Sequence, residues 1–305
     1  MKHLERALTG RNGFGWYVLI IIVSLLIQAV AIIPIFGVIA LLYADAIGGI
    51  SPTDPMTVLK NIDSNIALLA LMIPIAVSLL TIWALVKIVH KRSLSETVNG
   101  TKQMRWQRVF FGFGIWLIMM SIALLGQYLV APEAFILQFN INQFIPLFFI
   151  TLLFIPLQTT FEEVMTRGYL AQGIGSLTKS RLLALLIPAA FFALLHITNP
   201  EVGKYGMGVM LASYFAMALV LGITAILDDG IELALGIHAA NNMFISLFTT
   251  QKGSVFETAA VFEVAQGDPY IELATLVVAG SIVIAILYKK YGWQWSTINK
   301  KVERL

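Results

Sequence analysis

Long apolar runs separated by short polar stretches dominate the chain: Trp16 to Tyr43, Ile66 to Val89, Val109 to Val130, Phe144 to Thr160, Leu182 to Ile197, Met207 to Leu227, Leu233 to Thr249 and Ile271 to Tyr288. A helix needs about 20 apolar residues to cross the hydrocarbon of a bilayer, and several of these runs reach or approach that length without a charge. The pattern predicts an all-α polytopic membrane protein with about eight transmembrane helices. The fourth and fifth runs are the short ones. The first is too long for a signal-peptide core and lacks a small-residue cleavage site, so it reads as a retained span. No repeat, linker or low-complexity tract divides the chain, and residues 1–305 read as a single transmembrane domain.

Composition agrees with this and narrows the chemistry. The chain is 58% hydrophobic and 12% charged, whereas a soluble domain is about one quarter charged. Cysteine is absent, which excludes disulfides, thiolate metal sites and a cysteine nucleophile. A net charge of +3 is small, no nucleic-acid partner is expected, and the placement of charge matters more than its sum. With the N-terminus inside, alternation of the eight spans puts residues 1–15, 87–108, 167–181 and 289–305 in the cytoplasm, and with them 17 of the 20 basic residues. That is the positive-inside pattern. Lys60, Lys204 and Lys252 fall outside, among Asp45, Asp54, Asp63, Glu133, Glu201, Glu257, Glu263 and Asp268. Membrane lipid is thus the first partner, and both termini are expected to be cytoplasmic.

A charge left near the bilayer interior is costly unless it is paired or faces water. Few such groups need explaining. Glu162, Glu163 and Arg167 end the fourth run, His196 ends the fifth, and His238, Asn241 and Asn242 lie within the seventh. Asp228, Asp229 and Glu232 fall in the turn between runs six and seven, which reads as solvated. On a helix, residues four apart share a face, so Glu163 and Arg167 are expected to pair while Glu162 points elsewhere. A hairpin folded about Lys179 brings Glu162 level with His196, and His238 shares a face with Asn242. Taken singly, each has an ordinary reading. Glu163 and Arg167 make a helix-end salt bridge, a lone histidine or asparagine bonds a neighbouring helix, and Phe191, Phe192 and Met243 pack. The joint occurrence of Glu162, His196 and His238 lifts the functional reading.

These residues fall into a known pattern. "EEVMTR", from Glu162 to Arg167, resembles the EExxxR motif of the CPBP family of intramembrane proteases, which holds the type II CAAX prenyl endopeptidases and their bacterial Abi relatives. "FFALLH" is similar to the second motif, FxxxH, through Phe192 and His196, and "HAANN" to the third, HxxxN, through His238 and Asn242. Each motif alone is weak, but three in order on three helices make a strong signal. The resemblance covers residues 144–248, the motif-bearing core. It implies an intramembrane endopeptidase acting on a membrane-associated or lipidated peptide. Glu162 would activate water, Arg167 would hold Glu163 or orient the site, and His196, His238 and Asn242 would serve the remaining chemistry. Peptide hydrolysis needs a base for water, donors for the oxyanion and a proton for the leaving amine. Those residue types supply all three.

The expected cofactor is none. The HExxH helix of zinc proteases is absent, and zinc, if bound, would fall to Glu162, His196 and His238 from three different helices. GxGD, YD and rhomboid-type serine signatures are also missing. A non-catalytic membrane scaffold or immunity protein on the same fold is the alternative, and a transporter ranks below it because internal repeats and paired broken helices are not evident. The compact chain suits a bacterial plasma membrane. His238 lies about 10 Å into its helix from the turn at Asp229, which places the site in the cytoplasmic half and predicts that it opens there.

Overall fold

In a computed structural model, residues 2–45, 55–265 and 267–303 are described; Asp54 of the acidic loops and the tail residues Arg304 and Leu305 lie outside them. The apolar runs become helices with identifiable starts. Following α1 (Phe14–Leu42) and the short α2 (Pro55–Lys60), Asp63 caps α3 (Ser64–His90) by accepting from the N–H groups of Asn65 and Ile66. A Ser93–Glu96 capping box then opens α4 (Leu94–Asn99), which leads to α5 (Trp106–Val130). Asn140 caps α6 (Ile141–Glu163), and that helix does not stop at the acids. It passes through a π-helical turn, Val164–Leu170, into α7 (Ala171–Thr178), so helical structure runs on for 38 residues. The fourth run was expected to end just before Glu162. Instead, the polar stretch after the acids is helical and buried by the rest of the protein.

Lys179 takes a left-handed conformation (φ 58°) and reverses the chain, Ser180 caps α8 (Arg181–Leu195), and α9 (Pro200–Tyr205) leads into α10 (Met207–Asp228). Two helices remain, α11 (Glu232–Phe248) and α12 (Pro269–Tyr291), the second capped by Asp268. Of the described residues, six helical segments are long and apolar enough to cross a bilayer: α1, α3, α5, Ile141–Thr178, α10 and α12. The other two expected spans are shorter, 15 residues for α8 and 17 for α11. The reason for α11 is its position. Its residues are buried along almost the whole length against α5, α6 and α10, so it carries polar groups that a lipid-facing helix would not. Lipid-facing side chains are instead large and apolar, such as Leu26, Ile33, Leu80, Ile118, Leu129 and Leu153. The chain is an integral, polytopic, helical membrane protein.

Two glycines bring α11 and α5 together. A Cβ on Gly236 would overlap the carbonyl oxygen of Val109, and one on Gly112 would press on the carbonyl of Leu233. Close backbone approach through small residues is how helices associate without a hydrophobic driving force between them. The approach sets the depth of His238 and Asn242 against Trp116.

The basic end of the bundle is closed by its own termini. A 3-10 turn at Glu5–Leu8 docks there, with the backbone N–H groups of Lys2 and His3 donating to Asp229 and with ion pairs Arg6–Glu96 and Arg181–Glu5. The C-terminal segment joins through Val302 N–H to Lys179 O and an isolated antiparallel bridge between Ser180 and Lys301. The Asp228 turn is not solvated as expected. Asp228 and Glu232 are buried and paired with Arg105 and Arg108, and Trp293 donates to Asp228. At the opposite end, β1 (Phe135–Leu137), β2 (Thr249–Thr250) and β3 (Phe262–Val264) form a small sheet in the order β1-β3-β2.

Candidate active site

Glu162 and Glu163 sit in the last turn of α6, directly before the π-helical turn. A π turn widens the helix and recurs at functional sites, and here every residue of it is buried. Gly168 makes the widening tolerable on the α4 side, because a Cβ there would meet the Thr97 carbonyl at 3.2 Å.

Glu163 is fully buried. Its Oε1 accepts from Arg167 Nη1 and from His238 Nδ1, both at 2.8 Å. Arg167 also donates from Nη2 to the carbonyl of Ala218 (3.2 Å) and lies 4.4 Å over the Phe192 ring. One ion pair therefore ties together α6, α8, α10 and α11. A carboxylate oxygen only accepts, so His238 carries its hydrogen on Nδ1 toward Glu163. Nε2 is thereby aimed at Glu162 Oε2, 3.6 Å away.

Glu162 is held from one side only. Its Oε1 accepts from Gln158 Nε2 at 2.6 Å, one turn earlier on α6, while Oε2 is buried with no hydrogen-bond partner among the described residues. Gln158 Oε1 accepts from Asn242 (3.0 Å), Asn242 Oδ1 accepts from Asn241 (3.0 Å), and Asn241 Oδ1 accepts from the indole N–H of Trp116 (3.1 Å). The relay begins at a group that only donates and ends at one that only accepts, so the orientation of every amide between them is determined.

His196 ends α8. Its Nδ1 donates to the carbonyl of Phe192 (2.7 Å), and its ring lies between those of Phe192 (4.4 Å) and Tyr214 (4.6 Å). Tyr214 is fixed in turn by donating to Glu201 (2.9 Å) and accepting from Asn199 (3.1 Å). With Nδ1 committed, Nε2 of a neutral His196 is an acceptor.

Glu162, His196, His238 and Asn242 all line one cavity of about 580 Å³. Glu163 and Arg167 stand behind its wall. Neither the N-terminal turn nor α4 contributes a residue to the lining of this cavity. Its lining extends to Glu201, Thr250, Gln251 and Glu272 at the acidic end. Among the described residues no three His, Asp or Glu side chains are grouped as metal ligands; His196 lies between two rings, and Glu162 faces His238. Sequence reasoning missed Gln158, Trp116 and Tyr214. Gln158 was detectable as a polar residue four before Glu162 on the same face.

A helical membrane bundle with this acid–histidine cavity defines the class. Residues 141–244 match the type II CAAX prenyl endopeptidase Rce1-like family. The chain is also 35% identical over 216 residues to the uncharacterized protein YyaK of Bacillus subtilis (strain 168), an alignment spanning 68% of this chain and 71% of YyaK. No solved structure matches it. The chain belongs to the type II CAAX prenyl endopeptidase Rce1-like family, the CPBP grouping to which its three motifs point.

Proposed function

We propose that the protein is an intramembrane endopeptidase that hydrolyses a peptide bond of a membrane-associated or lipidated peptide through water activated by Glu162. The observation that carries the reading is the unpartnered Oε2 of Glu162, buried on the wall of a cavity that also presents His196, His238 and Asn242. A buried polar atom without a partner is costly in a finished structure and useful where a water has to be bound. In the reaction, Glu162 Oε2 takes a proton from that water, with His196 Nε2 as a second acceptor, and the oxygen attacks the scissile carbonyl carbon. The oxyanion forms opposite Asn242 Nδ2 and a protonated His238 Nε2. Glu162 then returns its proton to the amide nitrogen as the C–N bond breaks, which balances the step. Glu163 accepts the Nδ1–H of His238 and so turns Nε2 toward the cavity, where the second N–H of the imidazolium donates to the oxyanion.

The proposed setting is a bacterial plasma membrane with the basic end and both termini in the cytoplasm, as the charge distribution favours. The test is cleavage of labelled membrane peptides by purified protein, comparing wild type with Glu162→Gln and with chelated wild type. Cleavage lost in the variant and kept under chelation is the expected result. Cleavage lost on chelation and restored by zinc would reassign the water to a metal. Binding without cleavage would return the protein to the scaffold or immunity role.

A further inference from the structure

The same cavity is lined by Glu162 and His238 and by Glu201 and Glu272 at the acidic end of the bundle. Its charged wall residues other than histidine are three carboxylates, Glu162, Glu201 and Glu272, and no lysine or arginine lines it among the described residues. Outside those residues the sequence holds one cation, Arg304. The guanidinium of the site does not serve the cavity, because Arg167 is buried and committed to Glu163 and the Ala218 carbonyl. Lys204 donates to the Lys252 carbonyl and lies over the Tyr205 ring.

The two outer carboxylates are held by neutral donors. Glu201 accepts from the Tyr214 hydroxyl and the Val255 N–H, and Glu272 accepts from the Gln251 amide. Nε2 of His238, a residue only 3% exposed, meets Glu162 Oε2 at 3.6 Å, beyond hydrogen-bonding distance, and both atoms are left for an incoming group.

Three carboxylates on the wall of one cavity, with no lysine or arginine among the described lining residues, attract a cation and penalise an anion brought in without a partner. The C-terminal carboxylate of a CAAX peptide, three residues past the scissile bond, would lie about 10 Å from the reacting carbon. It would meet no cation on these walls. We infer that the cavity selects a peptide carrying a lysine or arginine on the segment that reaches Glu201 and Glu272, entering from the acidic end, and not the free carboxylate of a CAAX tail. This rests on the proteolytic reading above.

The test separates the two claims. Three fluorescent peptides share one apolar segment and differ beyond it: an amidated lysine-bearing sequence, the same sequence with glutamates, and a farnesylated CAAX end with its free carboxylate. Binding to the Glu162→Gln protein is measured in zwitterionic nanodiscs, and cleavage is measured with wild type. The lysine peptide is expected to bind about tenfold more tightly than either of the others, with Glu201→Gln plus Glu272→Gln bringing all three within about twofold. Equal or reversed affinities, or a preference that survives the double neutralisation, would overturn the inference. If the lysine preference holds but wild type cuts none of the peptides, the selectivity stands and the proteolytic reading fails. Preferential cutting of the CAAX peptide would do the reverse.

Discussion

Gln158 Nε2 stands 2.6 Å from Glu162 Oε1, one helical turn away, and Gln158 Oε1 accepts from Asn242. A single side chain thus fixes which oxygen of Glu162 is left for water and where the amide of Asn242 points. Gln158→Leu removes both bonds at nearly constant volume. We expect kcat to fall about 10- to 100-fold, the scale for loss of the hydrogen-bonding partner behind a functional group, with KM nearly unchanged. Trp116→Phe, at the far end of the relay, is expected to have a smaller effect, and to add little in the Gln158→Leu background because the link to Glu162 is already cut. Full additivity in steady-state kinetics would show that the relay does not act as a unit.

Arg167 is bound on three sides, by Glu163, by the Ala218 carbonyl and by the Phe192 ring. Arg167→Ala leaves Glu163 as a buried charge with one remaining partner, His238. Breaking a buried pair in this way costs about 3–5 kcal/mol, and the expected result is a large drop in thermal midpoint measured in detergent. Arg167→Lys should recover only part of it, since an ammonium lacks the planar fork that serves Glu163 and the carbonyl together.

The apolar runs and the acid–histidine constellation were legible because they depend on local period and residue type. The i,i+4 spacing alone placed Arg167 against Glu163 and left Glu162 pointing away. What stayed hidden was long-range. Asp228 looked solvated because Arg105 and Arg108, which bury it, lie more than 100 residues earlier. The continuation of α6 past Glu163 was hidden by the polar stretch "GYLAQGIGSLTKS". That stretch is helical because α4, α8 and the N-terminal turn cover it, and hydropathy cannot register burial by protein.

The reciprocal contact of Gly236 with Val109 and Gly112 with Leu233 predicts an asymmetry along α5 and α11. Gly236→Ala drives a methyl group into backbone, which cannot rotate away, and overpacking of this kind costs about 1–3 kcal/mol. Gly114, on the same helix as Gly112, has no neighbouring atom within 4 Å of its would-be Cβ, so Gly114→Ala should be neutral. Because α11 carries His238 and Asn242, Gly236→Ala is also expected to lower activity in the fraction that stays folded. Thermal midpoints for the two alanine variants check the first claim, and kcat per folded molecule checks the second.

His3 predicts the pH response of the closed end. Its Nε2 donates to the carbonyl of Arg167 in the π turn (3.0 Å), and burial holds the imidazole below its ordinary value near 6.5, against the opposing pull of the Arg167 carbonyl, Asp229 and Glu232. Arg105 adds to the lowering. In the folded protein the ring therefore stays neutral at a pH where the unfolded chain already binds a proton. The sign follows: the contribution of His3 is fully present above about pH 6.5 and is lost as pH falls from there toward the depressed value, at up to about 1.4 kcal/mol per pH unit. Thermal midpoints recorded between pH 7 and 5 should fall for wild type and fall less for His3→Gln, whose amide still donates to Arg167 but does not titrate. Parallel slopes for the two proteins would show that acid sensitivity resides elsewhere than at His3. A steeper slope for the variant would mean that protonation of His3 tightens the contact with Asp229.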